Sequence, residues 1–352
     1  MSTSDPTSRN IDPVGLALIG YGYWGANLAR NIAASPATEF VGVVESDESA
    51  RAAAAARYPG ITTWGRLEDA LDDDRVQAVI VATPASTHAE VATTALEAGR
   101  HALVEKPLAH TPKEADDLLE LAREKDLTLM VGHTFLYSAP VNRLRDWIQR
   151  GELGKVQYIR SERMSLGRVR RDINAFWNFA PHDISILMYV LDDVPVRVNC
   201  QGFSFIQPGV EDMCMATLEF SSGVGATVHV SWLDPIKTRL MTVVGDAKMA
   251  IYDDVSPDKP LALVDSGVAR DSTLGRYQSM SEFQWRTRAG DILIPKIDLV
   301  EPLYVEITDF GEACATGNTP RASAEHGLQV VKVLAAADES MKSRGAPVEI
   351  EW

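Results

Sequence analysis

Gly20, Gly22 and Gly25 stand in the spacing G-x-G-x-x-G within LALIGYGYWGANLARN, after an apolar run and at the start of an alanine-rich stretch. In a strand–turn–helix, the first glycine permits the tight turn and the second lets the backbone approach a pyrophosphate. The third lets helix and strand pack closely, and the helix N-terminus faces the phosphates with N–H donors. Glycine-rich turns also arise for packing alone, so the context decides. Here an acidic residue, Glu45, ends the second strand-like run 25 residues after Gly20, near the ~20 expected of a ribose-binding carboxylate. Glu45 would bind both ribose hydroxyls and repel a 2′-phosphate, and Ser46, Asp47 and Glu48 follow it with no basic residue among them. The pattern therefore favours NAD over NADP. Tyr21, Tyr23 and Trp24 share the loop and join its cofactor contacts. Thr83 and Pro84 end the fourth run and Glu105, Lys106 and Pro107 the fifth; strand C-termini line the ligand crevice in such sheets. That aims Lys106 at the reactive end of the dinucleotide, although a lysine there is also a common solvated charge. His88, just beyond Thr83-Pro84, is a further cofactor candidate.

The elements that must position these residues read as an α/β chain. Residues 14–134 alternate apolar β-type runs (15–20, 40–45, 61–64, 76–83, 101–105, 127–132) with helical stretches (26–34, 49–58, 67–72, 87–98, 113–125). Such alternation predicts a doubly wound parallel sheet, an NAD-binding Rossmann domain, preceded by a flexible tail over residues 1–13. Residues 135–352 change character: a helix at 142–150, a strand at 156–165, an apolar helix at 183–191, then runs at 197–205, 213–220, 225–233, 239–245 and 248–252. Val224, Ala226, Val228, Val230 and Trp232 alternate with small or polar residues, the period of a half-buried strand. This half reads as an α+β domain with a large, mainly antiparallel sheet for substrate binding and oligomerisation. Helices at 303–316 and 324–342 close it, and residues 257–297 read as long connections.

With these motifs in hand, the chain resembles the glucose–fructose oxidoreductase/inositol dehydrogenase (Gfo/Idh/MocA) family. The resemblance is carried by GYGYWG, ATPASTHAEVATTALEAGRHALVEKPLA, YSAPVNRLRDWIQRGELGKV and the histidine of NFAPHDIS. It implies a dehydrogenase acting on a ring hydroxyl of a sugar or cyclitol. It implies that Lys106 contacts the reacting hydroxyl and the nicotinamide ribose, that the Lys106–Pro107 bond is cis, and that His182 is the acid/base. Tyr137 opens one matching segment and is a substrate candidate. One departure is visible: many members carry D-x-G-x-H, where this chain reads Asn178-Phe179-Ala180-Pro181-His182. Asn178 can hydrogen-bond a hydroxyl but cannot take its proton, so proton transfer falls to His182 or Lys106. Asp183 either orients His182 or caps the following helix.

Charge adds a second indication. Lys plus Arg number 34 against 49 Asp plus Glu, a net charge of −15, which disfavours nucleic-acid backbones and anionic membranes as partners. Yet Lys155, Arg160, Arg163, Arg168, Arg170 and Arg171 face only Glu162 within residues 155–171. The loop SLGRVRRDINAFW leads from this island into Asn178 and His182. Arg163, Arg168, Arg170, Asn174 and Trp177 are thus substrate candidates, the guanidinium groups suiting a diphosphate and the indole a ring. A nucleotide sugar of the UDP-N-acetylhexosamine type, oxidised at C3, is the expected substrate; a free cyclitol or hexose, a 3-ketosugar reduction, or a non-catalytic dinucleotide sensor are the rivals. The strand with a solvated charged face accounts for part of the same island. Cys200, Cys214 and Cys314 show no metal-ligand spacing, so no metal is expected. The N-terminal residues lack a signal-peptide core, no apolar run nears the ~20 residues of a membrane span, and the reading is cytoplasmic. A sheet with one open face is expected to pair with further copies, as a homodimer or homotetramer.

Overall fold

The computed structural model describes residues 12–167, 169–270 and 285–352. It divides into two compact units: residues up to Tyr137 with Val300–Val331, and Ser138–Leu299 with Lys332–Trp352.

The first unit opens with β1 (Val14–Ile19), α1 (Gly25–Ala34), β2 (Thr38–Val44), α2 (Glu48–Arg57), β3 (Thr62–Trp64), α3 (Leu67–Leu71), β4 (Ala78–Val81), α4 (His88–Glu97), β5 (His101–Glu105), α5 (Pro112–Glu124) and β6 (Leu129–Gly132). The six strands form one parallel sheet in the order β3-β2-β1-β4-β5-β6. Strands β1 and β4 are buried along their whole length, which is why they read as continuous apolar runs rather than alternating ones. The order reverses direction between β1 and β4, and a doubly wound sheet opens its ligand crevice beyond the strand ends at that point. Local chemistry sets the helix starts. Asp47 caps α2 by accepting the Ala50 N–H, and Thr111 and Glu114 form a reciprocal capping box ahead of Pro112 in α5.

The second unit begins with α6 (Ala139–Gln149), β7 (Val156–Leu166) and α7 (Ala175–Leu191). It continues through β8 (Pro195–Phe203), β9 (Met213–Phe220), β10 (Gly225–Ser231), β11 (Leu233–Gly245), β12 (Met249–Asp253), β13 (Leu261–Arg270) and β14 (Trp285–Leu293). The span 257–297, expected as connections, instead holds β13 and β14, which pair antiparallel. Helix α7 starts eight residues before the expected 183. Asn174 caps it, and Pro181 sits inside it, so the proline interrupts the helix ladder without marking its start.

The chain then returns to the first unit with α8 (Pro302–Thr316), enters α9 (Ala324–Lys342) and ends with β15 (Val348–Glu349). Nine strands of the second unit form a mixed sheet, β14-β13-β12-β11-β7-β10-β9-β8-β15, in which only the β7–β10 pair is parallel. On α8, Leu303, Glu306, Ile307 and Phe310 follow the 3–4 spacing of a helix face and are all buried. Gly311 lies so close to the start of β2 that a Cβ there would stand 2.6 Å from the Ala37 carbonyl oxygen. Among the described residues no helix is long and apolar enough to cross a membrane. Phe310→Ala should lower the unfolding free energy by about 3–5 kcal/mol, the usual cost of emptying a buried aromatic site, read as a lower urea midpoint.

Candidate active site

The glycine loop fits a dinucleotide on the evidence of its own sterics. Gly20 has φ +97°, and a Cβ there would lie 2.8 Å from the Ala82 carbonyl oxygen; a Cβ on Gly25 would lie 2.4 Å from the Gly20 oxygen. Around Gly22 nothing stands within 4 Å, which leaves its backbone open to a close ligand. The first turn of α1 has no acidic residue and no side-chain cap, so no carboxylate of the helix's own first turn competes for its positive dipole end. Glu45 sits at the end of β2, where its Oε2 accepts the Tyr21 N–H at 2.7 Å and its Oε1 the Asp47 N–H at 3.0 Å. Burial pushes its carboxyl up, but the N–H groups of Asp47 and Tyr21 outweigh this and hold it below the ordinary glutamate value. An anionic Glu45 next to the glycine loop is the arrangement a ribose diol needs. Tyr23 is 89% exposed beside the loop.

Across the sheet, Trp24 turns its indole N–H onto Glu105 Oε1, and Glu105 Oε2 accepts the Lys106 N–H at 3.2 Å. Glu105 is buried, and its side chain holds the glycine loop and the lysine turn together. The Lys106–Pro107 peptide is cis. His88, expected on the cofactor, has a different task. It is 2% exposed, with Nδ1 2.8 Å from the Pro107 carbonyl oxygen and Nε2 3.0 Å from that of Thr83. It thereby ties the turn after β4, with Thr83 and Pro84, to the turn after β5. Burial lowers its proton affinity, opposed by the two carbonyls. Tyr137 is likewise structural: buried, it donates to Asp309 at 2.6 Å and accepts the Ala322 N–H at 3.1 Å, leaving no open face for a substrate.

In the second unit, Asn178 and His182 lie one turn apart on the half-buried face of α7, where the i, i+4 spacing puts both side chains in one row. The two candidates beside them are framework. Asn174 caps α7 through the Trp177 N–H at 3.0 Å and donates to Glu211 and Asp338; the buried Trp177 indole donates to Asp338 at 2.7 Å. Burial raises the Asp338 carboxyl against these two donors.

Asp183 neither caps the helix nor faces His182. It points the other way into the core, accepting Ser161 Oγ at 2.7 Å and Arg163 Nε at 2.7 Å. Arg163, expected to meet substrate, is therefore buried in an ion pair with side chains 6% and 4% exposed. Burial disfavours its charge, but the Asp183 carboxylate more than compensates and raises its proton affinity. The rest of the basic island is largely neutralised nearby: Arg170 forms a two-pronged pair with Asp172 at 3.0 and 2.6 Å, and Arg160 lies 3.6 Å from Glu162. Arg171 is exposed, and Arg168 lies outside the described residues. Motif spacing passes over Glu306, Thr134 and Asp309, which gather beside Glu105 and Tyr137. The available signal was a glutamate at an apolar-face position of α8.

A family model described as an oxidoreductase family with an NAD-binding Rossmann fold matches residues 14–133, and the model of the same family's C-terminal domain matches residues 141–251. The chain belongs to the Gfo/Idh/MocA family. It is an NAD-binding oxidoreductase of the group that works on CH–OH bonds of sugars and cyclitols. It is 30% identical to 1,5-anhydro-D-fructose reductase of Ensifer adhaerens over 312 residues, covering 82% of this chain and 87% of the relative. It is 29% identical to UDP-N-acetylglucosamine 3-dehydrogenase of Acidithiobacillus ferrooxidans over 237 residues, covering 67% and 72%. The solved structure of GenD2 from gentamicin A biosynthesis, in complex with NAD, superposes with TM-score 0.82 at 24% identity over the whole of both chains.

Two outcomes follow from this geometry. Asp183→Asn strands a buried guanidinium and should cost about 3–5 kcal/mol of stability, seen in urea unfolding; an unchanged midpoint would mean Arg163 is solvated in solution. Glu45→Ala should weaken NADH binding about tenfold, the worth of one charged hydrogen bond, and narrow the gap to NADPH in a fluorescence titration.

Proposed function

We propose that the chain oxidises a ring hydroxyl of a sugar to the ketone, with Lys106 and His182 handling the proton and Asn178 holding a neighbouring hydroxyl. The observation that carries this reading is Lys106 itself, which follows the last residue of β5 and precedes a cis proline at the crevice end of the sheet. A bound nicotinamide cofactor would supply the hydride acceptor for the carbinol carbon, or the hydride donor in the reverse direction. The charged Lys106 ammonium donates to the reacting oxygen and stabilises the negative charge that develops as the C–H bond breaks. His182, whose ordinary pKa lies near neutrality, takes the hydroxyl proton. Asn178 stands where many relatives carry aspartate; its amide can donate to a substrate oxygen and accept from a hydroxyl, but it holds no proton to exchange.

The finer reading is a nucleotide sugar of the UDP-N-acetylhexosamine type, oxidised at C3. Its support is the 29% identity to the UDP-N-acetylglucosamine 3-dehydrogenase together with the exposed Arg171. With Arg163 paired in the core and Arg170 paired to Asp172, the diphosphate would fall to Arg171 and Arg168. The reading also includes a cytoplasmic location and a homodimer or homotetramer formed through the nine-stranded sheet. The face of that sheet away from α7 exposes Tyr158, Met215 and Ile251.

Lys106→Ala and His182→Ala should each lower turnover about 10²–10⁴-fold, the usual worth of acid/base catalysis. The measurement is NADH appearance with a panel of UDP-sugars, free hexoses and inositols. Near-normal rates in both variants overturn the assignment of roles, and equal rates on free and nucleotide sugars overturn the nucleotide-sugar reading.

A further inference from the structure

Two buried carboxyl groups lie beside the residues at and just beyond the end of β6, Glu105 at Gly132 and Glu306 at Thr134, and neither takes part in the reaction proposed above. Glu105 pairs in register with Gly132, and its Oε2 lies 3.0 Å from where a Gly132 Cβ would stand. Its two oxygens accept the Trp24 indole N–H and the Lys106 backbone N–H. Glu306 reaches the same place from α8. Its Oε2 accepts the Thr134 hydroxyl at 2.7 Å, two residues beyond Gly132. Its Oε1 is buried with no hydrogen-bond partner among the described residues. Both side chains are out of water, at 9% and 1% exposure.

Two carboxylates in one dry site share their protons, because ionising the second adds like-charge repulsion to a desolvation cost. The surroundings decide which one keeps the proton. Burial raises the Glu105 carboxyl above the ordinary glutamate value, but two N–H donors and the positive charge of Lys106 oppose that push. Glu306 has one hydroxyl donor and faces the negative charges of Glu105 and Asp309; burial and these charges push it well above the ordinary glutamate value. Among the described residues no ion pair to the Glu306 carboxyl is shown. Tyr137 keeps its proton in burial and its hydroxyl hydrogen-bonds to Asp309, while Arg321 stacks over the Tyr137 ring at 5.0 Å. His133 is buried and held neutral, flanked by His326 and Lys106, and Arg30 pairs with Glu301 at the start of α8.

We propose that Glu105 and Glu306 form a carboxyl pair carrying one proton on Glu306, and that this proton lets Glu105 remain the single anion that positions the Trp24 loop and the Lys106 turn for the cofactor. Glu306 is a positioning residue that acts through Glu105. Ionising it places a second negative charge beside Glu105, which is relieved by loosening the contacts that Glu105 makes.

The sign of the pH effect follows. A carboxyl that binds its proton more tightly folded than unfolded makes the native state bind more protons, so its contribution to stability falls as pH rises. The fall begins near the unfolded value of about 4.3 and ends above the folded value. Glu306→Gln keeps a neutral amide in the place of the neutral acid. Its unfolding constant, relative to wild type, should improve by up to about tenfold per pH unit across that window. The wild type should also lose NADH affinity as Glu306 ionises with rising pH, by up to about tenfold per pH unit if binding needs the protonated form, while the variant's affinity stays flat. Parallel stability and NADH-binding curves for the two proteins overturn the pair. Should the variant fail to fold, carbon NMR of wild type labelled in its glutamate carboxyls decides: one carboxyl still protonated at neutral pH supports the pair, and none overturns it. These readouts need NADH and protein only. A chain that meets them yet oxidises no sugar leaves the pair standing and removes the substrate reading instead.

Discussion

A carboxylate deprived of water at a strand end must find its donors in the chain around it, and Glu105 shows what that requirement organises. Its position is set by β5 being buried between β4 and β6, so the side chain has no route to solvent. The donors it recruits are the indole N–H of Trp24 and the N–H of Lys106. One belongs to the glycine loop and the other to the lysine turn, so satisfying a single desolvated group links the loop after β1 to the turn after β5. His88 makes a parallel link in carbonyl chemistry, joining the turns after β4 and β5. The crevice is therefore held by groups that never need to touch the ligand.

The second unit follows the same rule with the opposite charge. Arg163 sits on the inward face of β7, and a guanidinium buried there is tolerable only with a carboxylate in good geometry. Asp183 on α7 supplies it, with Ser161 taking the remaining hydrogen bond. That pair settles how α7 is rotated on the sheet, since Asp183 must face β7. His182 and Asn178, about 100° and 140° around the helix from Asp183, consequently fall on its half-buried face. An ion pair that looks structural thus selects the face on which the acid/base candidate is presented.

Much of the first unit was legible because its signals are local. A parallel sheet covered on both sides needs continuous apolar strands, and the G-x-G-x-x-G turn, the Glu45 strand end and the Thr111-Pro112 start each occupy a few adjacent residues. The candidate substrate residues were harder. Arginines in a loop and a strand look alike in composition, and only register tells that Arg163 points inward while Arg160 points outward. Asn174 and Trp177 are plausible sugar-binding types, but their partners Glu211 and Asp338 lie 37 and 161 residues away in the chain. The apolar run alone placed the helix at 183–191; the cap at Asn174 and the buried residues on both sides of Pro181 carry it from Ala175 through the proline.

By itself the sequence determined the doubly wound class, the glycine-rich loop of an NAD-binding Rossmann domain, the acidic residue ending β2 and the placing of Lys106 at a strand terminus. Each of these depends on residue type and short-range spacing, where backbone geometry leaves few alternatives. Only the tertiary structure decided which polar side chains are consumed by the framework and which remain for chemistry. It paired Arg163 with Asp183, turned Trp177 onto Asp338, and brought Glu306 from a helix 172 residues further along the chain onto the Thr134 hydroxyl. The reason is physical: a buried polar group must be satisfied by whatever the fold brings near it, and sequence distance does not record that proximity.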